Sequence, residues 1–220
     1  MNVFFIRHAE SYKSVENRHG GLGQPLTEQG KADVTDIISF LEKEENIKFD
    51  DTTIFCSDRI QVVETAKLMA SKKHVSFQIK DALRNINLGV LDGLSDREAF
   101  EKYPTEAASL QKWRDGLIEL DDVSIPDSET MEEFYNRVCQ FVSSLIQQEK
   151  DVVIIGTRSV GVAIANIFNG FSNEIEKNIY KRYRFDPSSI SKFTFKDNNT
   201  KIEYINKIDF LSVKPQFPDK

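Results

Sequence analysis

The chain has 220 residues, of which 40% are hydrophobic and 29% charged, a composition typical of a globular domain with a sizeable core. Its net charge of -6 does not favour a basic surface for nucleic acid or anionic lipid. The longest apolar run, residues 152–155, is too short to cross a bilayer, and Arg7 interrupts the N-terminus before a signal-peptide core could form. Cys56 and Cys139 lie in apolar patterns that favour buried, reduced thiols. We therefore expect a cytoplasmic protein without nucleic-acid or membrane partners.

Short apolar runs alternate with helical patterns along the chain. Residues 2–7 are predicted as a buried strand, and the long glycine-containing loop at 8–26 is of a kind that is usually functional or mobile. Thr27 is predicted to cap a helix that reaches about residue 45. The other predicted strands are 52–56, 75–80, 151–155, 189–195 and 201–205, and the other predicted helices begin at 58, at 95 (in pieces to 113), at 129 and at about 159.

This alternation predicts an α/β fold with a mainly parallel sheet and helices on both faces. The residues at 197–200 predict a hairpin that adds an edge to the sheet. We expect one domain over residues 1–211 and a flexible tail at 212–220. Ligands of such sheets bind beyond the carboxyl ends of the strands, which here are the residues after Ile6, Cys56 and Ile155.

Arg7 and His8 follow the first predicted strand and are suited to an anion. A neutral imidazole can attack phosphorus, and a guanidinium can hold phosphate oxygens in a fork. From these two residues alone, the alternative is a histidine that only forms hydrogen bonds with the backbone of the loop.

Several longer segments, taken together and in order, resemble the histidine phosphatase superfamily, the phosphoglycerate-mutase-like proteins. The segments are FFIRHAES, QPLTEQGKA, IFCSDRIQVVETA, LRNINLGVLDGLS, PDSETMEEFYNRV, DVVIIGTRSVGVAIANI and RFDPSSISKFTF. The resemblance covers about residues 3–211 and implies a parallel α/β sheet, in agreement with the pattern of strands and helices.

The resemblance implies phosphoryl transfer through a phosphohistidine, with His8 as the nucleophile and Arg7 beside it. The family also uses an asparagine, a second arginine, a second histidine and a glutamate that protonates the leaving oxygen. At these four positions this sequence has Ser14, Gln61, Thr157 and Asn85, respectively. Only Arg7 and His8 of the six family positions match.

Nearby residues offer replacements for the missing groups. Positive charge can be supplied by Arg59, Arg158 or His19, although Arg59 lies two residues before Gln61 and is turned by roughly 200° on a helix. Candidate replacement acids are Glu10, Asp92 and Glu129.

Two hypotheses follow. The first is a catalytically impaired protein with a binding or regulatory role, which keeps a phosphate or anion pocket at Arg7 and His8. Its remaining lining is neutral and hydrogen-bonding, and consists of Ser14, Gln61, Asn85 and Thr157. The alternative is a slow or narrowly specific phosphomonoesterase that acts through His8. Either reading implies a small phosphorylated or anionic ligand and needs no cofactor or metal, and both leave the oligomeric state open.

Overall fold

A six-stranded sheet organises the protein, whose computed structural model describes residues 1–16, 18, 20–118, 122–146, 150–170 and 179–214. The strands are β1 (Asn2–Arg7), β2 (Thr53–Cys56), β3 (Phe77–Ile79), β4 (Val152–Gly156), β5 (Ile190–Lys196) and β6 (Asn199–Lys207). The helices are α1 (Tyr12–Glu16), α2 (Glu28–Lys43), α3 (Ile60–Lys73), α4 (Asp96–Lys102), α5 (Pro104–Arg114), α6 (Met131–Ile146), α7 (Arg158–Phe168) and α8 (Ile179–Arg182).

The strand order is β3-β2-β4-β1-β5-β6. The first four strands in this order pair in parallel, and β5 and β6 are antiparallel additions at one edge. Ile6 pairs with Ile155, and Cys56 also pairs with Ile155, so the carboxyl ends of β1, β2 and β4 meet at one edge of the sheet. The predicted single-domain α/β fold, with its closing hairpin, is confirmed.

The alternating side chains of β1 divide the core into two layers. Val3 and Phe5 pack in a cluster with α6 and α7, whereas Phe4 and Ile6 pack in a cluster with α2 and α3. This arrangement follows from the two-residue period of a strand that is covered on both faces. A smaller cluster joins α4 and α5 to the segment around Leu91.

Local sequence signals explain several boundaries. Thr27 caps α2, and its Oγ1 accepts a hydrogen bond of 3.0 Å from Gly30 N. Asp197 and Asn198 have φ values of 51° and 59°, as a tight two-residue hairpin turn requires. The predicted strand at 75–80 begins later, at Phe77, because Val75 N instead bonds to Ala70 O at the end of α3.

Further expectations concern the cysteines, the chain end and the membrane. Cys56 is buried and Cys139 is half-buried. Leu211 is buried, and the domain boundary after it stays a prediction, because residues 215–220 of the predicted tail lie outside the described residues. Within the described part of the chain, no helix is long and apolar enough to span a membrane.

Candidate functional site

His8 lies immediately after β1, at the edge where the strand ends converge. Its backbone N–H donates to Gly156 O over 3.0 Å, which fixes it to the end of β4. Its carbonyl oxygen accepts from Ser188 N over 3.1 Å, which fixes it to the turn before β5. Two long-range backbone contacts therefore place the histidine at the centre of the edge.

His8 is 5% exposed, and Nδ1 of its ring lies 2.9 Å from Ala9 O. A carbonyl oxygen only accepts, so the proton of the neutral ring lies on Nδ1 and the lone pair lies on Nε2. Burial and, after it, the positive charge of Arg7 lower the pKa of His8 to about 3. The ring is therefore neutral at physiological pH, the state that a nucleophile needs.

The turn after His8 is joined to the PLTEQG segment by hydrogen bonds. Thr27 donates to Glu10 twice, from its N–H to the backbone oxygen over 3.0 Å and from its hydroxyl to Oε1 over 2.7 Å. Ala9 N donates to Thr65 Oγ1 on α3 over 3.1 Å. A Cβ at Gly30 would lie 2.1 Å from Glu10 O, so only glycine allows α2 to approach this closely.

The guanidinium of Arg7 has one buried hydrogen-bond donor without a partner. Its Nη1 donates to Phe185 O, and its Nε is buried without a hydrogen-bond partner. Burial and then Arg158 lower the pKa of Arg7 to about 10, while Tyr180 and Asp186 act in the opposite direction. The guanidinium remains cationic at neutral pH and is available to an anion.

Asn85 and Thr157, which the motif resemblance assigns to the family's acid and second-histidine positions, contact each other. The Oδ1 atom of Asn85 accepts from Thr157 Oγ1 over 2.8 Å and from Ser159 Oγ over 2.5 Å. The structure thus brings together the two predicted residues and adds Ser159, which the sequence did not single out. All three side chains are neutral and satisfy one another, so none of them is a proton donor to an alkoxide at neutral pH.

The backbone that carries Asn85 is braced by Arg137 on α6. Its Nη1 donates to Ala82 O and Arg84 O, each over 2.8 Å, and its Nη2 lies 3.4 Å from Asn85 O. Arg137 also forms a bidentate pair with Glu129, with distances of 2.6 and 2.8 Å. These contacts fix the backbone at Asn85, the position at which the resemblance implies a glutamate.

Ser14 and Gln61 form contacts within the loop. Ser14 Oγ donates to Ser11 O over 2.7 Å and accepts from Ser11 N over 2.8 Å. The Gln61 side chain is buried against Gly23, where an added Cβ would lie 1.9 Å from Gln61 Oε1. A role of either side chain in holding a ligand stays a prediction.

Arg158 lies at the first position of α7 and stacks on Tyr180, with its Cζ 4.3 Å from the centre of that ring. It donates to Tyr180 O over 3.1 Å, and the ring of Tyr180 in turn packs on Trp113 at 4.5 Å. Arg158 is close enough to Arg7 to lower its pKa, and its role as a replacement cation stays a prediction.

Lys13 and Arg59 add further charge. The Nζ atom of Lys13 donates to Gly20 O, and Nη2 of Arg59 lies 3.9 Å from Asp92 Oδ2. Burial and then Arg59 lower the pKa of Lys13 to about 8. Arg158 is close enough to Arg7, and Arg59 and Arg7 are close enough to Lys13, to lower the pKa of their neighbour, so positive charge besides that of Arg7 is present in this region. The neutral lining of the ligand pocket stays a prediction. Lys13 belongs to none of the motifs, so the sequence alone does not indicate that its side chain lies in this region.

The remaining candidates have other contacts. Among the proposed acids, Glu10 accepts from Thr27, and Glu129 is paired with Arg137. Asp92 Oδ1 accepts from Leu88 N over 3.0 Å. His19 lies outside the described residues. Within the described ranges, no group of three or more histidine, cysteine or acidic residues is arranged to hold a metal ion.

The fold and the site define an α/β protein with an arginine–histidine pair at the carboxyl end of a central parallel strand. Residues 3–208 match the model of the histidine phosphatase superfamily (branch 1). The chain belongs to this family, and the resemblance noted in its motifs is confirmed.

Individual relatives are distant in sequence. The 6-phosphofructo-2-kinase/fructose-2,6-bisphosphatase of Caenorhabditis elegans is 23% identical over 72% of this chain, which spans only 32% of that protein. A probable phosphoglycerate mutase GpmB of Erwinia tasmaniensis is 23% identical over 87% of this chain and 84% of its own length. The solved structure of Bacillus stearothermophilus YhfR superimposes with a TM-score of 0.81 at 18% identity, covering 96% of this chain and 99% of that one.

Proposed function

We propose that this protein binds a small phosphorylated or otherwise anionic ligand at Arg7 and His8, and that it is catalytically impaired and has a binding or regulatory role. One observation carries the proposal. The position where the family has an acid is occupied by Asn85, whose oxygen already accepts hydrogen bonds from Thr157 and Ser159. The leaving group of an alkyl phosphate therefore finds no proton donor there.

We expect the presence of Asn85 in place of an acid to lower the rate of phosphate ester hydrolysis by a large factor. A positioned general acid contributes about 10²–10⁴-fold to a rate, and an electrostatic donor to the transition state contributes about 10²–10³-fold. These factors do not multiply freely, because residues that act as a unit are not additive. Loss of the acid still removes most of the turnover of a substrate with a poor leaving group.

Anion binding survives the same changes. Arg7 keeps a buried, unpartnered Nε–H, and Arg158 brings a second guanidinium to the start of α7. Guanidinium groups form short, charge-assisted hydrogen bonds to phosphate oxygens. Relatives named as a bisphosphatase and as a probable phosphoglycerate mutase support a phosphoryl group as the anion.

A second candidate is a slow phosphomonoesterase that acts through a phosphohistidine at His8. The neutral ring, with its proton on Nδ1 towards Ala9 O, favours it, because Nε2 is then free to attack phosphorus. Such an enzyme needs substrates whose leaving groups depart without a proton.

Two measurements on the whole protein distinguish an impaired binding protein from a slow phosphomonoesterase. Titration with inorganic phosphate and with sulfate should give binding at millimolar concentration or tighter, and Arg7→Met should abolish it. An alkyl monophosphate should bind but not turn over. Absence of anion binding rejects the proposed function, and fast hydrolysis of the alkyl phosphate rejects the impairment. Lys201→Met is the matched control, because Lys201 lies on β6 at the opposite end of the sheet.

A further inference from the structure

The turn before β5 contacts both residues of the arginine–histidine pair. Nη1 of Arg7 donates to Phe185 O, and the backbone N–H of Arg7 donates to Ser189 O over 3.1 Å. The backbone N–H of Ser188 donates to His8 O, also over 3.1 Å. The position of this turn therefore determines where the guanidinium of Arg7 and the backbone of His8 lie.

Asn206, on the edge strand β6, holds this turn through Asp186. The Oδ1 atom of Asn206 accepts from Asp186 N over 2.5 Å, and its Nδ2 donates to Asp186 Oδ2 over 2.9 Å. Asp186 is only 7% exposed, so these two hydrogen bonds are shielded from water. An amide can donate and accept at once, which is what a peptide N–H beside a carboxylate requires.

A bulge in β6 directs Asn206 towards the turn. The pairing of β5 with β6 shifts between Ile190 and Lys192, so two residues of β6 lie opposite Ser191 alone. Asn206 has a φ of 59°, and its backbone N–H donates to Ser191 Oγ over 3.0 Å. Bulges redirect side chains, and asparagine tolerates the left-handed conformation better than most residues. The irregularity of the strand thus serves the contact with the turn.

A second anchor of the turn lies on α2. Ser188 Oγ donates to Asp33 Oδ2 over 2.5 Å, and Gln29 Nε2 donates to Asp33 Oδ1 over 2.7 Å. Asp33 is 2% exposed, and a buried carboxylate needs donors of this kind. The turn is therefore fixed from α2 as well as from β6.

We propose that Asn206 is a positioning residue for the anion pocket, and that it acts through Asp186 and the turn before β5 to orient Arg7 and His8. Asn206 itself does not touch the ligand. Displacement of a binding group by about 1 Å is enough to lose most of its effect. This inference rests on the proposed function, because it takes Arg7 and His8 as the place where the anion binds.

A role of Asn206 in the stability of the sheet edge alone is the competing explanation. Calorimetry with sulfate on the whole folded protein separates the two explanations. Asn206→Gly suits the positive φ and removes both hydrogen bonds to Asp186 without adding a charge. It should weaken sulfate binding at least about tenfold, the factor expected when a charge-assisted hydrogen bond to the anion is lost.

A matched control comes from the tip of the same hairpin. Asn198 is exposed and has the same φ of 59°, so Asn198→Gly makes the same change far from the turn. It should leave the affinity for sulfate within about twofold. Asn206→Ser has a shorter side chain that cannot bridge both groups of Asp186, and it serves if Asn206→Gly does not fold.

Two further readouts respond to positioning. Asn206→Asp combined with Asp186→Asn reverses the amide and the carboxylate at constant net charge, and should restore sulfate affinity to within about threefold of the wild-type value. The ring nitrogens of His8, assigned by NMR through comparison with His8→Asn, report its tautomer. In Asn206→Gly they should show a mixture of the two neutral forms instead of the Nδ1–H form.

The outcomes distinguish this inference from the proposed function. If Asn206→Gly and Asn206→Ser lower the free energy of unfolding but bind sulfate within about threefold of the wild-type affinity, the positioning role is rejected and the proposed function stands. If the wild-type protein binds no anion, the proposed function is rejected. The ring signals of His8 then decide alone: unchanged signals in Asn206→Gly reject the positioning role, and a changed tautomer supports it.

Discussion

The turn after β1 and the turn after β4 lie side by side in the sheet but differ in what they retain of the family's site. At the end of β1, Arg7 and His8 are present, and the imidazole of His8 is neutral with its Nδ1 towards Ala9 O, which leaves the lone pair on Nε2. After β4, Thr157 forms a neutral hydrogen-bonded group with Asn85, and Arg158 stacks on Tyr180. Under the proposed function, the comparison teaches that the residues proposed to hold and attack a phosphoryl group are kept after β1, whereas the residue types that would transfer protons are replaced by Asn85 and Thr157.

We expect the largest effect from restoring the residue types that the family resemblance implies at positions 61, 85 and 157. The combined variant Asn85→Glu, Gln61→Arg and Thr157→His should gain about 10²–10⁴-fold in alkyl phosphatase kcat/KM, because it restores the acid on a backbone that Arg137 already fixes. Adding His8→Ala to this variant should abolish the gain. A folded triple variant with no gain means that the pocket has been rebuilt beyond these side chains.

The brace beneath Asn85 should matter for stability. Arg137→Met leaves Glu129 and the carbonyl oxygens of Ala82 and Arg84 without their donor, so the free energy of unfolding should fall by about 2–3 kcal/mol. Denaturant unfolding of the wild-type protein and of Arg137→Met measures this difference in the free energy of unfolding.

The control for this change is Arg97→Met. The Arg97 side chain is 84% exposed and pairs with Glu101 along α4 at 3.8 Å, so its loss should change stability by only about 0.5 kcal/mol or less. Equal effects of the two variants contradict the brace.

The burial of His8 makes stability depend on pH. The folded-state pKa of about 3 lies below the ordinary value of 6.5, so between these two values the unfolded chain binds the extra proton. The contribution of the neutral ring is fully present above pH 6.5 and is lost as the pH falls towards 3. Relative to His8→Asn, the wild-type protein should lose about 1.4 kcal/mol of stability per pH unit within this window. Parallel pH dependences of the two proteins contradict a buried neutral histidine.

The smallest effect concerns Lys13. Its folded-state pKa of about 8 means that the ammonium loses its proton as the pH rises from 7 to 9.5. Between pH 7 and 9 the affinity for sulfate, whose charge is constant in this range, should fall by about threefold at most. Lys13→Arg keeps its charge and should show a flat profile. An equal decline in both proteins would assign the effect to another group.

The fold could be predicted from the sequence because its signals are local, and the same is true of the position of the Arg7–His8 pair at the end of a strand. The alternation of elements, the cap at Thr27 and the Arg7–His8 pair can each be read within a few residues. The proximity of Asn85 and Thr157, 72 residues apart, came only from the family resemblance, and the structure supplied their hydrogen bond.

The rest depended on contacts that no local pattern encodes. Arg59 was expected to be a poor substitute because it is turned away from Gln61, yet it reaches Asp92 from its position before α3. Lys13 approaches the site only because its ammonium meets Gly20, and Arg158 is oriented by Tyr180 from a distant part of the chain. Side-chain direction at these positions is set by tertiary packing.

The dependence of turnover on the leaving group tests the central claim most directly. Measured as kcat/KM at pH 7 over a series from activated aryl phosphates to alkyl phosphates, the rate should fall steeply as the leaving group becomes more basic. Only the most activated esters should react, and only while His8 is present. A flat series with brisk turnover of the alkyl phosphate would contradict the account, because it requires a proton donor beside His8.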